Sequence, residues 1–381
     1  MREVAIIGVG MTPVGEHWDQ GLRMLAAQAA HEALTDAATK AIDALYVANA
    51  YGTTFSSQSH LGGLVADYIG LKGIEAITIE AAEASGAAAL RAACLAVKSG
   101  EVQTALVIGV EKSTDCIGSA QTQARTVSLD ADFEAIHGAT LPALAALLMR
   151  RYMHEFQVGL DAFEAFSINA HANGKRNPYA MFRNTIKPGA FSKAPMVADP
   201  VNLFDSAPDA DGAAAVIVTS AERAADLVAQ PVLIAGSAAA TDAFTLQDRA
   251  DLLHLDAVAI STQKALAQAG LTVDDVDFFE LHDAFTILST LSLEAAGFAE
   301  RGTGWQLADG SKLPLCTFGG LKSRGNPAGA TGVYQAVEAV LQLRGKAGEN
   351  QINNPRVALI QNLSGLASTA VTHVLTISES L

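Results

Sequence analysis

Within AEASG (82–86) only small residues flank one charged side chain, Glu83, and the pattern around it changes from a buried strand to a helix. A strand-to-helix turn of that kind holds a side chain at a helix N-terminus, where free backbone N–H groups and the helix dipole favour an anion. Two chemistries follow for Glu83: an acid–base carboxylate facing a ligand, or a carboxylate that only stabilises the first helical turn. A second candidate is LHDAFT (281–286), which places His282 and Asp283 where another strand runs into a helix. Ligand sites form at the carboxyl ends of strands in α/β sheets, although a lone His-Asp pair also fits a hydrogen-bonded surface histidine. The run GGLKSRGNPAGATG (319–332) carries five glycines and Pro327 before a helix, so the chain must there turn sharply or approach something closely.

From Ala165 to Ala198 the chain has Lys175, Arg176, Arg183, Lys187 and Lys193 and no Asp or Glu, with Tyr179, Phe182 and Phe191 interleaved. Such a local excess of positive charge suits a phosphorylated cofactor and equally suits a solvated loop face. GVGMTPVG (8–15) lacks the third glycine of a dinucleotide fingerprint, since Pro13 stands there, and reads as a turn that ends a strand. The cysteines Cys94, Cys116 and Cys316 lie far apart without a CxxC pair, which predicts neither disulfides nor a zinc site and points to a reducing cytosol.

The elements that must position these residues follow from periodicity. Strand patterns fall at Val4–Gly8, 44–50, 76–82 and 105–110, with helices over 22–33 and 84–98, the latter stopped by Gly100. Between about 113 and 200 the strand signals vanish and Pro142, Pro178, Pro188, Pro195 and Pro200 punctuate a helical and loop insertion. A buried strand resumes at 211–220. From 231 the order of the first half is repeated: a strand (231–237), a helix (256–269), a strand FFELH, a helix from Ala284, a strand LPLCTF (313–318), a helix (331–343), and strands Val357–Leu363 and Ala370–Ile377. Alternating strands and helices predict an α/β architecture with buried sheets. The expected organisation is a first half made of 1–112 and 201–230, an inserted loop domain 113–200, and a second half 231–381.

The chain has 381 residues, half of them hydrophobic, which excludes disorder and allows more than one core. Its net charge of −15 argues against nucleic acid and anionic membranes as partners. No segment has the pattern of a membrane span or a signal peptide.

Together, MREVAIIGVGMTPVG, IEAAEASGAAAL, NPYAMFRNTI, ADPVNLFDSAPDADGAAAVIV, HDAF, GGLKSRGNPAGATG and QNLSG resemble, in order and spacing, the thiolase superfamily and especially its sterol-carrier-type members. The resemblance implies a five-layered αβαβα fold, a homodimer, a coenzyme A thioester as substrate or ligand with no covalently bound cofactor, and a CoA-binding loop domain containing 175–193. It adds Gly329 of the glycine-rich run to the candidates for cofactor contact. It also implies a heteromeric partner of the small OB-fold, zinc-ribbon, acyl-CoA-associated kind.

The family's nucleophilic Cys corresponds to Glu83, its GHP histidine to Asn326 and its second Cys to Asn362, while His282 keeps the identity expected of the sterol-carrier branch. A carboxylate is a poor substitute for a thiolate in acyl transfer, and Asn cannot act as a base at neutral pH. His282 with Asn326 resembles instead the His–Asn oxyanion pair of condensing relatives, which predicts enolate-type C–C cleavage, condensation or decarboxylation with Glu83 as the acid–base group. The alternative expectation is a catalytically silent homologue serving as a CoA-binding or scaffold subunit. Of the thiols, only Cys316 lies near this constellation.

Overall fold

The structure, a computed structural model, describes residues 2–377. Residues 1 and 378–381, at the ends of the expected first and last segments, lie outside the described residues. The first half contains β1 (Val4–Met11), α1 (Leu22–Asp36), β2 (Ala44–Ala48), α2 (Gly52–Phe55), α3 (Leu61–Tyr68), β3 (Glu75–Ile79), α4 (Ser85–Ser99) and β4 (Thr104–Glu111). There follow α5 (Ser119–Arg125), α6 (Leu141–Phe156), α7 (Glu164–Arg176) and the short pair β5 (Met196–Ala198) and β6 (Val201–Asn202). The chain continues through β7 (Gly212–Ser220), α8 (Ala221–Leu227), β8 (Val232–Thr241), α9 (Asp256–Ala269) and β9 (Phe278–Glu280). It closes with α10 (Thr286–Ala295), α11 (Thr331–Leu343), β10 (Val357–Ser364) and β11 (Thr369–Ile377).

Among the described residues, nine strands form one sheet in the order β3-β2-β4-β7-β1-β8-β11-β10-β9. Parallel pairs (β2 with β3 and β4, β9 with β10) lie toward the ends, and antiparallel pairs fill the middle. Among the described residues, the two halves of the sheet pair only through Ala5↔Leu233 and Ile6↔Val232. Helices α4 and α11 touch strands of both halves, so they form a central helical layer with sheet on either side. On the outside, α1 and α3 cover the first half through Leu25, Ala29 and Val65, and α9 and α10 pack with the second half through Val258 and Leu291. This is the five-layered α/β thiolase fold the sequence led us to expect.

Small residues make the central layer possible. A Cβ on Gly86 would sit 2.8 Å from the backbone nitrogens of Gly332 and Val333. One on Gly332 would sit 2.3 Å from both the Ala87 nitrogen and the Asn362 Oδ1. The N-terminal turns of α4 and α11 therefore touch backbone to backbone, which brings Glu83 and Asn326 to one place.

Two expected elements differ. Residues 313–318 form no strand: Leu315 makes one isolated bridge to Phe279, and Cys316 adopts φ +48°, which ends any ladder there. The helix expected from Ala284 starts at Thr286, where the buried carboxylate of Asp205 accepts from the Thr286 nitrogen (2.9 Å) and hydroxyl (3.0 Å). HDAF is thereby left as a loop, free to aim His282 sideways. The inserted segment shares its core with the second half, as Leu144, Leu148, Tyr152 and Phe163 join the cluster of Leu255, Leu288 and Leu291.

Candidate active site

Glu83 leaves the edge strand β3 through a turn in which Ala82 takes φ +47°. The Ser85 hydroxyl bonds the Ala81 nitrogen and the Ala82 oxygen and so fixes that turn. No side chain caps α4, so the bland expectation that Glu83 serves the first helical turn does not describe its position. Its carboxylate instead points into the protein and is 4% exposed.

His282 (1% exposed) donates from Nε2 to Glu83 Oε2 at 3.1 Å. The proton is on Nε2 because Asn362 Nδ2, a donor only, meets the other ring nitrogen at 3.0 Å. Asn362 lies on β10, with its Oδ1 facing the Ala87 nitrogen at 3.4 Å, which sets the orientation of its amide. Asn326 Nδ2 approaches the same Glu83 Oε2 at 3.4 Å, and its Oδ1 accepts from the Thr331 hydroxyl at 2.9 Å. Glu83, His282, Asn326 and Asn362, far apart in sequence, thus converge. Two donors from different loops meet on one carboxylate oxygen.

The other oxygen, Glu83 Oε1, pairs with Arg125 Nη1 at 3.2 Å, and Arg125 Nη2 pairs with Asp209 Oδ1 at 2.7 Å. Tyr51 lies under the guanidinium, 5.5 Å from its ring centroid. Burial pushes the Glu83 carboxyl up, but the Arg125 charge and the hydrogen bonds from His282 and Asn326 outweigh it and hold the group at about 2. Such a carboxyl has no proton to give at neutral pH and is a weak base. The expected acid–base role for Glu83 therefore finds no support in its surroundings, which suit a fixed internal anion.

Sequence reasoning missed Arg125 and Asp209. Arg125 is the sole cation between Lys112 and Arg150, a signal legible but not used. Asp209 is carried beside Asn326 by a parallel bridge between their backbones, which no spacing rule reveals. Both residues, with Glu83, Asn326, Thr122 and Ser206, line a cavity of about 140 Å³. A wider cavity of about 600 Å³ adjoins it across Ser206 and Ala207, which line both, and is bounded by His171, Phe182, Lys187 and the buried Lys322. Burial lowers the pKa of both His171 and Lys322.

Of the five basic candidates, Lys187 lines this second cavity, whereas Lys175, Arg176, Arg183 and Lys193 are exposed and line neither. Gly329 is buried elsewhere: its nitrogen donates to Glu111 Oε2 at 3.1 Å, and a Cβ would strike the Ala50 nitrogen at 2.4 Å. Its lack of a side chain serves packing. Cys316 is 4% exposed, its Sγ faces the Leu281 oxygen, and burial pushes its thiol well above the usual range, so it lacks what a nucleophile needs.

A paired α/β fold around a His–Asn donor pair defines a thiolase-type protein. The comparisons agree: residues 4–222 match the thiolase N-terminal domain and 238–377 the thiolase C-terminal domain-like family. The chain belongs to the thiolase family, as a sterol-carrier-type thiolase-like member. It is 38% identical to an acetyl-CoA acetyltransferase of Methanothermobacter thermautotrophicus, over 98% of this chain and 99% of that protein. It is 28% identical to human sterol carrier protein 2, over 98% of this chain and 72% of that protein. Among solved structures, the aldolase Ltp2-ChsH2(DUF35) superposes with a TM-score of 0.84 at 24% identity, covering 100% of this chain and 99% of that one, a likeness of fold.

Proposed function

We propose that this chain binds an acyl-CoA thioester and stabilises its enolate, in C–C bond cleavage, condensation or decarboxylation, without the cysteine chemistry of ordinary thiolases. The observation that carries this reading is the convergence of His282 Nε2–H and Asn326 Nδ2–H on one anionic oxygen. Preorganised donors aimed at a single developing oxyanion are often the largest catalytic contribution in such reactions. In the resting state Glu83, standing where family members carry their nucleophilic Cys, supplies that oxygen itself. The thioester carbonyl takes its place when substrate binds, with Glu83 retained by Arg125. The pantetheine arm runs through the wider cavity past Ser206 and Ala207, and the phosphates meet the basic loop at Lys187. Family likeness supports a homodimer, to which the exposed edge strand β3 is suited, and the DUF35 protein of the aldolase complex supports a small acyl-CoA-associated partner.

The same filled oxyanion hole favours a second reading, a silent subunit that binds CoA beside an active partner. Solvent exchange separates the two. Incubated in deuterated buffer with short acyl-CoA thioesters, the wild type is expected to wash deuterium into the α-carbon, and His282→Ala to lose about 10²–10³-fold of that rate. CoA binding by calorimetry without any exchange, alone or with a DUF35 partner, would establish the silent reading.

A further inference from the structure

From the placement of the second carboxylate on Arg125, and resting on the enolate reading above, we infer that Asp209 is the catalytic residue that carries the α-proton. Glu83 and Asp209 share one guanidinium but not one environment. Both oxygens of Glu83 are engaged, Oε1 by Arg125 and Oε2 by His282 and Asn326. Asp209 uses Oδ1 for Arg125, and no hydrogen bond to its Oδ2 is made among the described residues. Its side chain is 24% exposed and lines the 140 Å³ cavity together with Glu83 and Asn326. The backbone bridge to Asn326 holds it at a fixed offset from one of the two enolate donors. A thioester whose carbonyl oxygen sits on His282 and Asn326 therefore presents its α-carbon in the chamber that Asp209 faces.

The step balances within these groups. Asp209 Oδ2 takes a proton from the α-carbon; the C–H pair becomes the enolate double bond, and the carbonyl pair moves onto the oxygen held by His282 and Asn326. The reverse step returns the proton, or a deuteron after exchange, and no further reactant is needed. An aspartate base beside an oxyanion hole is a workable pair for this chemistry.

Electrostatics agree with the geometry. Burial pushes Asp209 up, the Arg125 charge lowers it and the Glu83 anion raises it, for a net rise above the ordinary 3.8. The other titratable groups around Arg125 are otherwise engaged: Glu111 accepts from the Ala50, Tyr51 and Gly329 nitrogens, the Tyr51 hydroxyl bonds Ser128 while its ring lies against Arg125, and Asp211 is bound by Lys112 and Thr114. Two carboxylates on one cation are thus driven apart, one a permanent anion and the other able to cycle.

The test is α-proton exchange of a short acyl-CoA in deuterated buffer, with binding followed separately by calorimetry. Asp209→Asn should bind the thioester as the wild type does and lose about 10²–10⁴-fold in exchange, with part of the loss recovered in Asp209→Glu. The exchange rate of the wild type should rise with pH through an inflection above 3.8, and Glu83→Gln should move that inflection down by removing the neighbouring anion. Asp209→Asn exchanging at the wild-type rate would overturn the role of Asp209 and leave the enolate reading standing. No exchange by the wild type would instead remove the enolate reading, and this inference with it. If Asp209→Asn does not fold, the pH profiles decide: a flat profile, or one that Glu83→Gln leaves in place, overturns the assignment.

Discussion

Replacing Glu83 by Gln should cost stability at neutral pH by an amount that shrinks on acidification. The carboxyl moves from an ordinary value of 4.5 to about 2 in the folded protein. At about 1.4 kcal/mol per pKa unit that difference corresponds to about 3 kcal/mol of stability at pH 7. A depressed acid contributes fully above its unfolded value and loses the contribution as pH falls through its folded one. The stabilisation is therefore complete above pH 5, smaller by about 1 kcal/mol at pH 3.5, and gone below pH 2. Asp209 opposes part of it, because Glu83→Gln also relieves the repulsion that raises Asp209, so about 3 kcal/mol is an upper bound. Urea unfolding of wild type and Glu83→Gln at pH 7 and pH 3.5 gives the difference, and carboxylates remote from the site cancel between the two proteins. A gap that stays constant between the two pH values, or widens toward acid, would refute the ion-paired Glu83 and the filled oxyanion hole built on it.

Gly332→Ala places a methyl group 2.3 Å from Asn362 Oδ1 and the Ala87 nitrogen; overpacking of this kind costs about 1–3 kcal/mol, readable as a lower urea midpoint. Iodoacetamide mapped by mass spectrometry should label the half-buried Cys116 first, while Cys94 and Cys316, both buried and with raised thiol pKa values, stay protected in the native protein. Lys187→Gln should weaken CoA binding and flatten its salt dependence, whereas Lys193→Gln, which lines neither of the two cavities, should change neither in calorimetry.

Most of the fold was legible because its strands are nearly unbroken apolar runs and its helices have clear stops. Val357–Leu363, Asp256–Ala269 with Gly270, and the resumption at 211–220 needed only periodicity. The misread strand at 313–318 shows the limit of that signal. LPLCTF has the right apolar content, but Cys316 takes a left-handed conformation imposed by the turn into Gly319 and Gly320. Glu83, His282, Asn326 and Asn362 were found as a set because their motifs lie in family order, and the contacts between them are those of the structure. Arg125 sits in a segment without a motif, and Asp209, although it lies within ADPVNLFDSAPDADGAAAVIV, was given no role there; tertiary contacts join both to the site. The sign of the Glu83 pKa was likewise beyond the sequence: burial raises it, and Arg125, followed by the hydrogen bonds from His282 and Asn326, reverses the outcome.

The filled oxyanion hole also sets what a ligand must do to enter. Both donors there are held by a partner behind them, His282 by Asn362 and Asn326 by Thr331, so neither can turn away to let an uncharged pocket form. An empty hole would leave two buried donors unsatisfied, which is expensive, and the carboxylate of Glu83 removes that penalty in the resting protein. In the proposed mode of binding a thioester carbonyl would displace it while the carboxylate keeps its ion pair with Arg125, so the exchange would trade hydrogen bonds for hydrogen bonds and strand no charge. The oxygen that gains most from the trade is one that becomes negative after binding. On the proposed enolate reading, two oriented donors favour the enolate over the ground-state thioester, and Arg125 is the residue that would make the hole available.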